Sequence, residues 1–380
     1  MMFQKISFLF CIYLQCYGAI VADQLKTRAK YLPIDVSFII VDLKYNEERG
    51  AQICEVQHGV PSAFRGHAML YEGKNLIAEH LLNGLSGYYE KSWAAIDSFA
   101  DPSTKKLLKD DAHWSKVSSF KELEQTQEFL NYAVRPVKDP SDLSQYHGFV
   151  FMSPNTAIDR EIFQKKYPGV VLIDNAFYNY ADNKFKMTDL LMGHPLTEQH
   201  KPKWGLYQKN DENLADKIIT EIGSDILVIK PTHEYLGKGV IILRKEELKS
   251  TLEHLFNNSR DFQDPAYTYW KDNKSRDFLV EEFIEVLPVS FPHLENKFYS
   301  PTLRLVYLLF YDKQEIHIKS LGGYYTLPKN SLCEEGSLNE QYKSCIRMPF
   351  FGKVDPVLRE AAESDMYEVL KVIYMKLLNI

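Results

Sequence analysis

The chain has 380 residues, of which 45% are apolar, 25% charged and 13% aromatic. That composition excludes a disordered, collagen-like or small disulfide-dense protein, and the length predicts two or three lobes with sizeable cores. With 45 basic against 51 acidic residues the formal net charge is −6, which argues against binding nucleic acid through bulk charge but leaves room for a local basic pocket that takes a phosphorylated small molecule.

Residues 1–22 differ from the rest: 1–5 carry one positive charge, 6–14 are almost wholly apolar, and the small residues Gly18, Ala19 and Ala22 precede the polar pair Asp23-Gln24. This is the pattern of an export signal peptide cleaved near Ala19 or Ala22, and it implies a periplasmic, secreted or host-delivered protein. The alternatives are an uncleaved membrane anchor, for which 6–22 is slightly short and interrupted by Gln15, and a misassigned start. Of the five cysteines, Cys11 and Cys16 belong to this segment. Cys54 sits in an apolar run and is expected to be an inert buried thiol, whereas Cys333 and Cys345 flank a polar loop and could pair in an oxidising compartment. The chain has no CxxC, so a zinc ribbon or thioredoxin-like site is unsupported.

Downstream, the apolar run 36–43 predicts a buried strand, 46–50 a turn and 51–57 a second strand, giving a β-hairpin. A helix is predicted over 72–85, and Ser119-Phe120-Lys121-Glu122 has the form of a capping box opening a helix that runs to about Ala133. From Gly148 the pattern becomes α/β: strand 149–152, helix 156–167 stopped by Pro168-Gly169, and strand 170–173 compose one βαβ unit. Helices follow over 184–192 and over 211–222, the latter closed by Gly223. Strands 226–230 and 240–243, helix 245–256, strand 278–284 and a hairpin of 303–310 with 316–319 are expected to complete a second α/β lobe. An amphipathic helix over 356–378 ends the chain, with Val357, Leu358, Ala361, Val369, Leu370, Ile373 and Leu377 on its core side.

The chemistry-bearing stretch begins where Lys230-Pro231 ends an apolar strand and Gly237-Lys238-Gly239-Val240 leads into the next. A glycine-rich hairpin of this kind can lay backbone N–H groups and an ammonium over a polyphosphate, or it can be an ordinary hairpin with an exposed lysine. It is not a Walker A loop, because GxxxxGK[ST] is absent. Glu281-Glu282 interrupts the apolar strand 278–284, so one acid is expected to face a cleft unless the strand lies at an edge. Asp42 and Glu55-Val56-Gln57 set hard oxygen donors on the two strands of the first hairpin, as a magnesium–nucleotide site requires, though turn-flanking surface acids would look the same. Arg304 lies inside an apolar strand and needs an anion: a phosphate, or a salt bridge to Glu281, Glu282 or Glu55. His58, Arg65 and His67 in the loop after the first hairpin could line an acceptor pocket, and His233 lies in the glycine-rich loop. No GxSxG, HExxH or GxGxxG occurs.

Taken in order, strand-Lys-Pro, Gly-Lys-Gly-Val and, about forty residues on, Val280-Glu281-Glu282-Phe283-Ile284 resemble the ATP-grasp superfamily over roughly 184–328. The early metal-type hairpin, with Arg304 and Gly322-Gly323 late in the chain, resembles its circularly permuted members of the glutathionylspermidine synthetase type. The resemblance implies an α/β fold of two lobes with the nucleotide between them, plus a βαβ pre-ATP-grasp-like unit. The corresponding segments are an export or anchor segment 1–22, a region with the metal hairpin 23–140, the βαβ unit 141–205, and the nucleotide lobe with the C-terminal helix 206–380.

In that family Lys230 and Lys184, with Lys186 as a fallback, would contact phosphates. Gly237, Lys238 and Gly239 would cover the triphosphate, and Glu281, Phe283 and Ile284 would read the adenine edge. Asp42, Glu55 and Gln57 would hold Mg2+, Gln57 replacing the usual asparagine, while Arg304 and Lys238 would act on the transferred phosphoryl group. The implied activity is ATP- and Mg2+-dependent ligation of a small-molecule or peptide carboxylate to an amine or thiol through an acyl phosphate. A nucleotide-binding or interaction protein without catalysis, or phosphoryl transfer to a non-carboxylate acceptor, remains open. Nucleic acid is not an expected partner, and a membrane is one only if 1–22 is retained.

Overall fold

The computed structural model describes residues 35–59, 63, 66, 67, 70, 71, 76–86, 92–95, 114–117, 148–151, 160–167, 170–180, 183–233, 237–256, 265–312, 315–345 and 349–380. The export segment 1–22, Arg65, and the capping box at Ser119 with its helix lie outside them. No described helix is long and apolar enough to cross a membrane.

The predicted hairpin forms from β1 (Asp35–Asn46) and β2 (Gly50–His58). Four short parallel strands follow, β3 (Ser92–Ala95), β4 (Trp114–Val117), β5 (Gly148–Phe151) and β6 (Val170–Leu172), in the order β4-β3-β5-β6. The helix Arg160–Lys166 connects the parallel pair β5 and β6, which is the predicted βαβ crossover.

An antiparallel sheet, ordered β7-β10-β8-β9, comprises β7 (Trp204–Gln208), β8 (Ile226–Pro231), β9 (Ile241–Arg244) and β10 (Asp277–Glu282). Leu227, Ile229, Phe278 and Val280 pack against the helices Leu214–Ile222, Leu248–Phe256 and Pro265–Asp272. Side chains alternate along a strand, so Val228, Lys230 and Glu281 point to the opposite face, and that alternation positions them for the site described below.

The short pair β11 (Val289–Ser290) and β12 (Phe298–Tyr299) precedes β13 (Thr302–Asp312) and β14 (Glu315–Pro328), with β15 (Ser344–Cys345) and β16 (Phe351–Gly352) pairing to β14. The hairpin expected to complete the lobe of strand 278–284 does not join that sheet. Instead β13 pairs antiparallel with β1, giving the order β15-β14-β13-β1-β2, so residues 35–58 and 302–345 share one sheet. Burial explains the pairing: β1 and β13 are buried at nearly every position, which only central strands covered on both faces can satisfy.

Alternation divides the two faces. Ile39, Val41, Leu43, Leu305, Tyr307 and Leu309 pack on the C-terminal helix Pro356–Leu378, while Val36, Phe38, Ile40, Val306 and Leu308 pack on the helix Leu76–Ser86. The C-terminal helix buries Ala362, Met366, Val369, Leu370, Ile373 and Leu377, whereas Val357, expected on the core side, is 76% exposed because it lies off the stripe that Leu358, Ala362 and Met366 continue. β14 runs through Gly322-Gly323 with a bulge at Leu321, and a Cβ on Gly323 would lie 2.6 Å from the Arg304 carbonyl oxygen. Cys333 and Cys345 do not pair; both are free thiols, as is Cys54.

One buried acid makes the fold sensitive to pH. Asp35 accepts hydrogen bonds from Tyr374 Oη at 2.5 Å and Ser37 Oγ at 3.2 Å, and burial pushes its pKa up to about 6. A carboxyl raised in the folded state stabilises below its unfolded value of about 3.9, and that contribution is lost as pH rises through about 6. The stability of Asp35→Asn relative to the parent is therefore expected to improve by about 2 kcal/mol between pH 4 and pH 7, measured by urea unfolding across that range. A pH-independent difference would contradict this.

Candidate functional site

A row of polar residues crosses four strands of the larger sheet. Asp42 on β1 is in register with Glu55 on β2 and with Arg304 on β13, and Arg304 with Tyr324 on β14. Asp42 and Lys44 continue the face that begins with Val36, Phe38 and Ile40, and there they line a cleft. Arg304 donates from Nε and Nη2 to Oδ1 and Oδ2 of Asp42, both at 2.7 Å, and Gln57 Nε2 donates to Oδ2 at 3.1 Å. Burial works against the guanidinium, but Asp42 and Tyr324 raise its pKa further. The partner of Arg304 is thus Asp42, not one of the glutamates expected from the sequence.

A bulge between Asp42 and Leu43 leaves Cys54 as the extra residue of β2. Lys230 Nζ donates to the Cys54 carbonyl at 3.0 Å, which ties the two sheets together. Lys230 also donates to Glu281 Oε2 at 2.5 Å, while Lys201 donates to Oε1 at 2.6 Å. Burial alone would raise the pKa of Glu281, but Lys201 and Lys230 hold it below the usual carboxylate range. Beside them Lys184, at the start of the helix Lys184–Leu190 whose N-cap Asn183 accepts from Lys186 N, donates to Glu55 Oε1 at 2.5 Å. Burial opposes that charge as well, yet Lys184 lowers the Glu55 pKa.

These pairs line one cleft enclosing about 1040 Å3 of empty space, its open mouth included. Asp42, Glu55, Gln57, Lys184, Lys230, Gly237, Glu281, Phe283, Ile284 and Arg304, ten positions predicted from the sequence, all border it. Lys238 and Gly239 do not. Lys238 is exposed on the turn, and Gly239, at φ +69, turns toward Tyr269 with its carbonyl accepting from Trp270 Nε1. The fallback Lys186 is exposed, Glu282 is tied to Arg49 and to the Lys203 backbone, and His233 is exposed. His58 turns to Asp174, its Nδ1 3.4 Å from Oδ2, and His67 stacks on Tyr71; neither lines the cleft.

The lining combines an apolar wall of Val228, Val240, Ile242, Phe283, Ile284 and Tyr342 with five basic side chains (Lys44, Lys184, Lys230, Arg304, Lys343) against four acidic ones (Asp42, Glu55, Glu281, Glu282). Lys201 adds another cation behind Glu281, so a protein of net charge −6 carries a positive excess here. Sequence reasoning missed Lys44, Lys201, Thr302, Lys343 and Ser344. Only Lys44 left a signal, two residues after Asp42 in the same apolar run and therefore on the same face. Burial lowers the Lys44 pKa to about 8.

Asp42, Glu55 and Gln57 offer the hard oxygens that Mg2+ prefers, but they do not form a cage of their own. Arg304 and Gln57 take up the Asp42 carboxylate, and only Oε1 of Glu55 is engaged among the described residues. That donor set fits an ion arriving on a polyphosphate, which needs one or two carboxylates, with phosphate and water completing the shell.

No family model matches the sequence, and no curated protein does. Among solved structures, an N5-carboxyaminoimidazole ribonucleotide synthetase in complex with ADP is similar with TM-score 0.34 and 12% identity, covering 80% of this chain. This chain spans 60% of that protein's length. A D-alanyl-alanine synthetase A from Vibrio cholerae gives TM-score 0.36 at 12% identity over 76% of this chain and 82% of that one. A D-alanine-D-alanine ligase from Coxiella burnetii gives 0.25 at 10% identity over 62% and 70%. Superpositions this loose do not assign a fold, and the functional reading rests on the cleft itself.

Proposed function

We propose that the cleft binds Mg–ATP in the manner of an ATP-grasp protein and that the protein ligates a carboxylate to an amine or thiol through an acyl phosphate. The observation that supports this is the meeting, in one cleft, of an apolar slot with Lys184, Lys230 and Arg304, each held by a carboxylate. An apolar slot suits a purine ring, and pre-positioned cations suit its phosphates.

In this reading Lys184 and Lys230 exchange their carboxylate partners for phosphate oxygens when nucleotide enters. A substrate carboxylate oxygen attacks the γ-phosphorus as the bond to the bridging β–γ oxygen breaks, and ADP leaves. The amine or thiol then adds to the acyl carbon, the C–O bond to phosphate breaks, and the nucleophile loses its proton. Lys230 and Lys184 stabilise the charge that moves onto ADP. Bound against Glu55, with Asp42 sharing, Mg2+ would supply charge neutralisation at the phosphates.

Lys230→Met is expected to weaken Mg–ATP binding about 10–100-fold, the worth of a charge-assisted hydrogen bond, while the fold persists because Lys201 still neutralises Glu281. Calorimetric titration and ADP release measure this, and undiminished affinity in the variant would remove Lys230 from the site. A second reading, nucleotide binding without turnover, is favoured by the hold of Arg304 on both oxygens of Asp42. ADP release against panels of carboxylates and amines separates the two.

A further inference from the structure

Lys44 stands out among the buried amines of the cleft. Lys184, Lys201 and Lys230 are each ion-paired to a glutamate at 2.5–2.6 Å. Lys44 is only 6% exposed, yet among the described residues no carboxylate lies within ion-pair distance of it. Its Nζ donates to the Pro301 carbonyl at 2.8 Å and to Ser300 Oγ at 3.5 Å, both neutral acceptors, and an ammonium has three protons to place. The nearest acid along its strand, Asp42, is already held by Arg304 through two hydrogen bonds. A buried ammonium whose hydrogen-bond acceptors are both neutral is costly unless an anion joins it.

The neighbouring groups are donors too. Lys44 follows Asp42 on the cleft face of β1, and Thr302, two positions before Arg304 on β13, lines the same cleft, just past the register positions Asp42–Arg304 and Leu43–Leu303. Ser344 Oγ donates to Thr302 Oγ1 at 2.7 Å, which leaves the threonine's own proton for another acceptor. An ammonium and a hydroxyl, on a patch next to Arg304, form a receptor for a tetrahedral or planar oxyanion.

We infer that Lys44, with Thr302, forms an oxyanion subsite in the cleft that takes either the carboxylate of the second substrate or the phosphoryl group passed to it. The inference deepens the ligase reading and rests on it for the identity of the anion. Lys44 is a binding residue there, distinct from the lysines assigned to the nucleotide.

The test titrates inorganic phosphate and, separately, succinate into the parent, Lys44→Met, Lys44→Arg and Thr302→Val, each with and without Mg–ADP, and measures Mg–ATP affinity in all four. The parent is expected to bind at least one of the two anions. Lys44→Met should weaken that binding tenfold or more, Thr302→Val several-fold, and Lys44→Arg less than threefold. A preference for phosphate identifies the transferred phosphoryl group and a preference for succinate the substrate carboxylate; both support the subsite. Equal anion binding by parent, Lys44→Met and Thr302→Val, or binding of neither anion by the parent, overturns it. If the anion binds through Lys44 while Mg–ATP does not bind at all, the nucleotide reading fails and the oxyanion subsite stands. Thr302→Val keeps the test decisive should Lys44→Met not fold.

Discussion

Replacing Glu281 by alanine is expected to destabilise the folded protein by about 3–5 kcal/mol, because two buried ammonium groups lose the carboxylate to which both are ion-paired. Lys201 and Lys230 reach separate oxygens of Glu281, so the acid bridges the turn before β7 to β8 as well as neutralising charge. Glu281→Gln keeps the shape but offers only one oxygen and no charge, and is expected to lose nearly as much. Removing a lysine from the alanine background, as in Glu281→Ala with Lys201→Met, should recover part of the loss. Urea unfolding of the ligand-free protein decides the matter. If Glu281 served only to read the edge of a purine ring, as the family resemblance suggests, its removal would change ligand-free stability by no more than about 0.5 kcal/mol and would affect nucleotide affinity alone.

Asp42→Ala should be nearly as damaging, at about 3–5 kcal/mol, since it takes from the buried Arg304 guanidinium the carboxylate that its Nε and Nη2 both reach. The expected signature is asymmetry. Arg304→Met leaves Asp42 with Gln57 Nε2 and is expected to cost less than Asp42→Ala. The double variant Asp42→Ala with Arg304→Met should be more stable than Asp42→Ala alone, because a buried pair replaced by apolar groups is often close to neutral. A double-mutant cycle by urea unfolding measures the coupling, and additive losses would mean that the clasp contributes nothing beyond its separate parts. The same pair bears on catalysis: an Asp42 carboxylate tied to Arg304 must loosen that hold before it shares a metal ion.

Particular residues show what could be read from the sequence and what could not. The first hairpin, the βαβ unit and the strand that ends by Lys230-Pro231 are predictable because local periodicity and turn residues specify them, whereas the strand expected over 278–284 ends two residues earlier, at Glu282. Cleft positions such as Asp42, Glu55 and Glu281 could be singled out because a charge inside an apolar run needs a partner. The identity of each partner could not, since Asp42–Arg304 spans 262 residues and Lys184–Glu55 spans 129, and no local pattern encodes such a separation. For the same reason the sequence does not tell which sheet β13 joins: a strand apolar on both faces calls for a central position without saying beside which neighbour. Lys201 and Ser344 lie in irregular segments or very short strands where periodicity carries no signal. The Gly237-Lys238-Gly239 turn forms as read, but its lysine is exposed and does not line the cleft that its first glycine borders.

Titrating Mg–ATP into the intact protein while following its thermal unfolding tests the central proposal most directly. Nucleotide bound only by the folded state at about 100 times its Kd stabilises by about 2.7 kcal/mol, so the melting temperature should rise measurably, with a smaller rise in Lys230→Met at the same concentration. An unchanged melting temperature, together with no heat of binding up to millimolar Mg–ATP, would contradict the account.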